Sequence, residues 1–150
     1  MINTTESKIE TSPGQALAEW LECEQSEIIN CEREHYRLAV YELNGREYAV
    51  GTDEEADEAA AEAICGSVWA FNASFILGYC GLPLELEEAI TSFQASKCES
   101  ANDALLALVD KWGFEGFAEQ AVSADGRAHF LNTYDDKENE QGDYYIYRLG

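Results

Sequence analysis

Ser123, Asp125 and His129 are the residue types of a hydrolase triad, in which a histidine activates a hydroxyl nucleophile and a carboxylate orients the histidine. They fall within one short segment around a predicted turn, whereas a triad is assembled from separate elements. No Gly-x-Ser-x-Gly elbow is present, and the chain has two histidines, His35 and His129. The spacing therefore favours a turn at Asp125-Gly126, and we predict no catalytic residue. An enzyme that uses Asp125, His129 or a cysteine is the weakest of our hypotheses.

Metal ligation is the second chemistry that the residue types suggest. The acidic loop 135–142 does not fit the calcium-binding EF-hand pattern, because Glu140 occupies the sixth position counted from Asp135, where glycine is required. Counted from Asp136, Gly142 falls one position too late. The five cysteines form no Cys-x-x-Cys pair and are odd in number. We therefore expect free thiols, with no metal site and no cofactor.

The charge of the chain excludes some partners and favours others. Thirty acidic and nine basic residues give a formal net charge of -21 at pH 7. Nucleic acids and anionic membranes would repel such a surface, so we expect neither as a direct partner. A basic protein is the favoured partner, in particular one with a groove that normally holds nucleic acid. The alternative is that the charge only keeps the protein in solution.

The most acidic stretch, GTDEEADEAAAEA at residues 51–63, begins with a helix cap. Thr52 is the predicted N-cap, and Glu55 completes a capping box with it. Asp53, Glu54 and Glu55 in the first turn also suit the positive end of the helix dipole. Small apolar residues at helical spacing should face inwards: Ala56, Ala59, Ala60, Ala63 and Ile64.

The remaining acids of this helix have no such local explanation. Glu54, Glu58 and Glu62, which we call the acidic row, recur at every fourth position and lie about 6 Å apart along the axis. Each like-charge pair at this spacing costs roughly 0.2–0.5 kcal/mol. No Lys or Arg lies between Arg46 and Lys97, so we expect the row and its neighbour Asp57 to be unneutralised. Nine residues are predicted to bind the partner: Glu54, Asp57, Glu58, Glu62, Asp135, Asp136, Glu138, Glu140 and Asp143.

The patterns along the chain predict which elements carry these acids. Ser12 and Pro13 should start a helix, and residues 26–32 a short helical turn. Residues 36–50 should form a hairpin around Asn44-Gly45. A second hairpin should pair a strand over 127–134 with one over 143–149, joined by the loop 135–142. Further helices should start near Leu84 and Ser100, with breaks at Gly113 and Gly116.

Residues 63–84 carry no charge, which raises the question of a membrane span. Polar residues and glycines interrupt the run and both flanks are acidic, so we predict a buried central helix instead. The predicted fold is α+β: two β-hairpins form one antiparallel sheet, packed against a bundle of three to five helices that includes this central apolar helix. Residues 1–11 should be a flexible N-terminus, and residues 12–150 a single domain.

Several segments of the sequence resemble segments of small acidic proteins encoded by tailed bacteriophages. These are REYAVGTDEEADEAAAEAI, SVWAFNASF and SADGRAHFLNTYDDKENE with the terminal YYIYRLG, and the resemblance spans residues 15–150. It implies expression in the cytoplasm of an infected bacterium, in agreement with the lack of a secretory signal. It assigns no functional residue. In size and charge alone, the chain is also similar to DNA-mimic, anti-restriction and anti-CRISPR inhibitors.

Two non-enzymatic hypotheses follow. The first is an inhibitor that covers a basic, nucleic-acid-binding surface of a host defence protein, possibly by DNA mimicry. The second is a structural or adaptor protein that dimerises or binds a partner through the apolar middle of the chain, around Trp69, Phe71 and Phe75.

Overall fold

A computed structural model describes residues 11–150 of the chain. The predicted flexible N-terminus lies outside the described residues except for Thr11. The described residues divide into two compact units, one of residues 11–59 with 127–150 and the other of residues 60–126. The acidic helix α2, Asp53–Cys65, begins in the first unit and ends in the second.

The first unit contains a five-stranded antiparallel sheet, which confirms the predicted α+β class. Its strands occur in the order β1-β2-β3-β5-β4. Their bounds are β1 Ile29–His35, β2 Leu38–Leu43, β3 Arg46–Thr52, β4 Asn139–Gln141 and β5 Tyr144–Arg148. The two hairpins join where β3 pairs with β5, so the N-terminal and C-terminal parts of the chain share one sheet.

The first predicted hairpin is confirmed. Strands β2 and β3 are joined by Asn44 and Gly45, whose φ angles of 53° and 81° are the positive values that a tight hairpin turn requires. Tyr41 lies opposite Tyr48 in the ladder. Local turn chemistry is therefore sufficient to define this register.

The second hairpin exists, but the prediction of its first strand over 127–134 is wrong. Residues Arg127–Leu131 form a short helix, α7, and the strand that pairs with β5 is β4, inside the segment predicted to be a loop. Ala128 and Leu131 are buried at helical spacing. The sequence RAHFL has no strong preference for either conformation, so contacts distant in sequence decide its structure.

The predicted helical turn at residues 26–32 is also largely wrong. A 3₁₀ turn covers Gln25–Glu27, and the following residues form β1 at the edge of the sheet. This strand is mostly exposed and contains a bulge between Asn30 and Glu34, so it lacks the alternation of apolar and polar residues that marks a half-buried strand. Backbone pairing with β2 makes it a strand.

One face of the sheet is covered by helix α1, Pro13–Leu21. Ser12 is its N-cap, and the Ser12 hydroxyl oxygen accepts a hydrogen bond of 3.1 Å from the backbone N–H of Gln15. Leu17 is fully buried against a cluster from β3 and β5 that consists of Tyr48, Val50 and Ile146. The predicted helix start at Ser12 and Pro13 is confirmed.

The second unit is helical. After the end of α2 it contains α3 Ala73–Cys80, α4 Glu87–Lys97, α5 Asn102–Asp110 and α6 Phe114–Asp125, with 3₁₀ turns at Val68–Ala70, Leu84–Leu86 and Cys98–Ala101. Gly113 separates α5 from α6 as predicted, whereas Gly116 lies inside α6. The prediction of one central helix over the apolar run 63–84 is wrong. The run is divided among the end of α2, a 3₁₀ turn and the apolar helix α3.

Two amide side chains form hydrogen bonds with backbone groups between α2 and α3, where the apolar run is not α-helical. Asn102 donates a hydrogen bond to the carbonyl oxygen of Cys65 (3.0 Å) and accepts one from the backbone N–H of Trp69 (3.1 Å). Gln94 donates to the carbonyl oxygens of Trp69 and Phe71, at 2.9 and 2.6 Å. These bonds replace helical ones that the break removes. Across residues 11–150, none of the helices combines the length and hydropathy needed to cross a membrane.

Candidate functional site

The acidic helix α2 starts as the sequence predicts. The backbone N–H of Thr52 donates to the carboxylate of Glu55 (2.9 Å), and the backbone N–H of Glu55 donates to the hydroxyl of Thr52 (3.2 Å). This reciprocal pair is the expected capping box. The five residues of the predicted inward stripe are all buried.

Arg127 neutralises part of the acidic surface of α2. Its Nη1 atom donates to Oδ1 of Asp53 at 2.8 Å, to Oδ1 of Asp57 at 2.9 Å and to the carbonyl oxygen of Asp53 at 2.9 Å. The expectation that Asp57 is unneutralised is therefore wrong. The compensating base lies 70 positions away in sequence, so inspection of the local sequence could not find it.

The same guanidinium also binds the second predicted acidic segment. Its Nε and Nη2 atoms donate to the two carboxylate oxygens of Glu138, at 3.0 and 3.2 Å, in the bidentate geometry that arginine and carboxylate favour. The phenol of Tyr147 donates a short hydrogen bond to Oε1 of Glu138. Arg127 thus binds the start of α2 and the β4–β5 hairpin at the same time, and we call Arg127, Asp53, Asp57 and Glu138 the Arg127 cluster.

The electrostatics of this cluster favour its charged form. Burial of Arg127 opposes its charge, but the hydrogen bonds that it donates to Glu138 and Asp53 outweigh that penalty and raise the pKa of the guanidinium. The guanidinium also lies over the ring of Tyr145, 4.7 Å from its centroid. Burial raises the pKa of Tyr147, and the bond to Glu138 raises it further, so the phenol keeps its proton and donates.

Asn132 determines the course of the acidic loop. Its side chain is buried, and its Oδ1 atom accepts hydrogen bonds of 2.8 Å from the backbone N–H groups of Tyr134 and Asp135. Its Nδ2 atom donates to the carbonyl oxygen of Lys137 at 2.8 Å. One side chain therefore closes the segment between α7 and β4 and directs Glu138 towards Arg127.

The predicted binding residues differ in what they contact. Asp57 and Glu138 belong to the Arg127 cluster. Exposed positions are occupied by Glu54, Glu58, Asp135, Asp136, Glu140 and Asp143. Glu62 is half-buried and belongs to the second unit, whereas the other eight residues belong to the first. The partner-binding role of all nine residues stays a prediction.

Arg127 brings the two acidic segments of the first unit together. Residues 53–58 contribute five acids and residues 127–143 another five, against Arg127 and Lys137 as the bases, which leaves a formal charge of -8. We call these two segments the acidic surface. The sequence analysis did not identify Arg127, Asn132 and Tyr147 as parts of this site. For Arg127 there was a weak signal, because it is the one arginine in 127–143 and precedes a segment rich in acids.

The apolar residues proposed for a dimer or partner interface have contacts within the second unit. The rings of Phe71 and Phe75 lie 5.0 and 5.4 Å from that of the fully buried Phe117. Trp69 is half-buried. The large apolar side chains exposed in this unit are instead Leu84, Leu86 and Trp112.

His35 supplies a pH-sensitive contact in the first unit. Its Nε2 atom lies 2.9 Å from the carbonyl oxygen of Leu131, to which it donates. Burial lowers the pKa of His35, the bond to Leu131 opposes this, and the charge of Arg33 lowers the pKa further. The unfolded chain therefore binds the proton more tightly than the folded protein does.

Lowering the pH from about 7.5 to about 5.5 should destabilise the wild-type protein more than the His35→Gln variant. Neutral His35 contributes its full stability above the ordinary histidine pKa of 6.5. That contribution is lost as the pH falls from 6.5 through the lower pKa of His35 in the folded protein. Urea unfolding at several pH values measures the difference. His129→Gln, at an exposed position, is the matched control and should follow the wild type. Identical pH profiles for His35→Gln and wild type would contradict the assignment.

Comparisons with family models, with curated proteins and with solved structures returned no match for this chain.

Proposed function

We propose that this protein is a non-enzymatic, phage-encoded inhibitor that binds a basic, nucleic-acid-binding surface of a bacterial host protein. The proposal rests on one observation: Arg127 binds residues of both acidic segments, 53–58 and 127–143, which together have a formal charge of -8. The resemblance to small acidic phage proteins supports the context. A host defence nuclease of the CRISPR or restriction type is the favoured target, with DNA mimicry as the mode of binding.

The exposed carboxylates are suited to this role because a nucleic-acid-binding groove recognises closely spaced negative charge. Glu54 and Glu58 follow one another on α2, while Glu140 and Asp143 extend the charge along the β4–β5 hairpin. Arg127 contributes indirectly, since it holds the two elements against their mutual repulsion. Asp57 and Glu138 accordingly support the surface, and the exposed acids would contact the partner.

The adaptor hypothesis has weaker support. Phe71 and Phe75, which would form its interface, pack against Phe117 and so contribute to the core of the second unit. A dimer would have to use other apolar groups, such as Leu84 and Leu86. Light scattering of the purified protein measures the oligomeric state directly.

Displacement from DNA tests the proposed function. DNA-binding proteins of a bacterial lysate are loaded on immobilised double-stranded DNA, and the purified protein is added. We expect it to elute at least one of them. A variant with Glu54, Glu58, Glu140 and Asp143 all changed to Lys should bind the eluted protein at least about tenfold more weakly, because it replaces attraction by repulsion.

The control variant has the same net charge. It carries Glu85→Lys, Glu88→Lys, Glu99→Lys and Glu119→Lys, all at exposed positions of the second unit. It should elute the same protein as the wild type does. The proposal fails if the wild type elutes nothing, or if both variants lose binding equally, since net charge alone would then account for the effect.

A further inference from the structure

A group of potential metal ligands lies in the first unit, on the three strands β1, β2 and β3. The Sγ atom of Cys31 and one carboxylate oxygen from each of Glu42 and Glu47 all lie within 4.8 Å of one another. Each of the three side chains is partly buried. Nothing in the Arg127 cluster or in the proposed inhibitor function uses them.

The sheet register explains why they meet. Glu42 lies directly opposite Glu47 in the β2–β3 ladder, an arrangement of like charges that destabilises a sheet. Ile29 lies opposite Glu42 in the β1–β2 ladder, and Cys31 follows two positions later, where the bulge of β1 begins. The edge strand thereby adds a thiol to a pair of carboxylates that already repel each other.

Arg33 compensates this charge in part. It forms a short ion pair with Oε1 of Glu47, and its side chain is 48% exposed. The guanidinium relieves Glu47. The thiol of Cys31 contacts the carbonyl oxygen of Ile29 at 4.0 Å, a long hydrogen bond that a cation can replace. Because Arg33 is half-exposed, it can move into solvent at little cost when a more highly charged cation takes its place.

We propose that Cys31, Glu42 and Glu47 bind a single soft or borderline divalent cation such as Zn²⁺. One sulfur and two carboxylate oxygens are ligands that Zn²⁺ accepts, and three protein ligands leave a fourth position for water. Tetrahedral coordination places such ligand atoms roughly 3.5 Å apart, so partly exposed side chains need to move only about an ångström. The thiol releases its proton to solvent as the S–Zn bond forms.

The identity of the ligands predicts selectivity. A thiolate favours soft or borderline ions, whereas Mg²⁺ and Ca²⁺ prefer sites made only of oxygen. Zn²⁺ and Cd²⁺ should therefore bind with one ion per chain, and Mg²⁺ should not compete. The site is independent of the acidic surface, so its failure would leave the proposed function untouched.

Titration of the full-length protein with Cd²⁺ tests the proposal, because a cadmium–thiolate bond absorbs in the ultraviolet; calorimetry with Zn²⁺ gives the affinity. Cys31→Ser should abolish the cadmium–thiolate absorption and weaken Zn²⁺ binding by about tenfold or more, and Glu42→Gln should weaken it similarly. Cys98→Ser removes an exposed thiol outside this group and should leave both signals unchanged.

Arg33→Ala should increase the affinity for Zn²⁺, and misfolding would not produce an increase. Removing the guanidinium frees Glu47, so the affinity for Zn²⁺ should rise several-fold. The proposal is overturned if the absorption persists in Cys31→Ser, if Mg²⁺ displaces Zn²⁺ at comparable concentrations, or if Arg33→Ala binds no more tightly than the wild type.

Discussion

Replacing Arg127 by alanine should lower the free energy of unfolding by about 2–4 kcal/mol, the largest electrostatic effect that we expect in this protein. The Arg127 side chain is only 10% exposed, and its removal would leave the carboxylates of Asp53, Asp57 and Glu138 without their shared cation. The two aspartates are well exposed, at 69% and 66%, so solvent reduces the penalty below that of a fully buried pair. Urea unfolding measures the difference.

Salt and a conservative variant distinguish charge from packing. In about 1 M salt the repulsion among the three carboxylates is screened, so Arg127→Ala should recover part of its lost stability. Arg127→Lys keeps the charge but loses the bidentate bond to Glu138, and it should be intermediate. The exposed Arg46→Ala is the matched control and should change stability little. A loss below about 0.5 kcal/mol for Arg127→Ala would show that the cluster is not structural.

Replacing Phe117 by alanine should cost about 3–5 kcal/mol in the second unit. Phe117 is fully buried, and its ring contacts those of Phe71, Phe75 and Tyr79, whose centroids lie 5.0–5.5 Å away. Truncation removes the shared partner of three aromatic rings and leaves a cavity that the helices can fill only in part. Thermal or urea unfolding, followed by circular dichroism of the helices, measures the loss.

A smaller truncation serves as the control. Phe117→Leu retains most of the buried volume and should cost roughly 1 kcal/mol. Trp112→Ala removes a ring that is 48% exposed and should cost less than Phe117→Ala. If Phe117→Ala were as stable as the wild type, the aromatic cluster would not be the core of this unit, and Phe71 and Phe75 would become candidates for an interface again.

Arg127→Ala and Phe117→Ala should affect partner binding only through their effects on folding. Arg127→Ala should weaken partner binding only as far as it displaces the β4–β5 hairpin from α2, because Arg127 supports the acidic surface without adding negative charge to it. Phe117→Ala should leave the acidic surface unchanged in charge. The binding experiment is therefore best performed with variants at exposed acids, where folding and recognition are separable.

The sequence by itself determined the elements whose hydrogen-bond partners lie close along the chain. The capping box of Thr52 and Glu55, the N-cap at Ser12 and the Asn44-Gly45 turn all involve residues within three or four positions of each other. The inward stripe of α2 follows from helical spacing alone. Such features depend on backbone geometry that is the same in any fold, so they could be predicted correctly.

Only the tertiary structure decided the conformation of the weakly biased segments and the state of the acids. Strand β1 is stabilised by pairing at the sheet edge, and α7 by buried contacts. Arg127 binds Asp53 across 74 positions of sequence, a distance over which charge patterning along the chain carries no information. A cation in a folded protein acts on whichever acids the fold brings within a few ångströms of it, and for this reason two separate acidic segments became one surface.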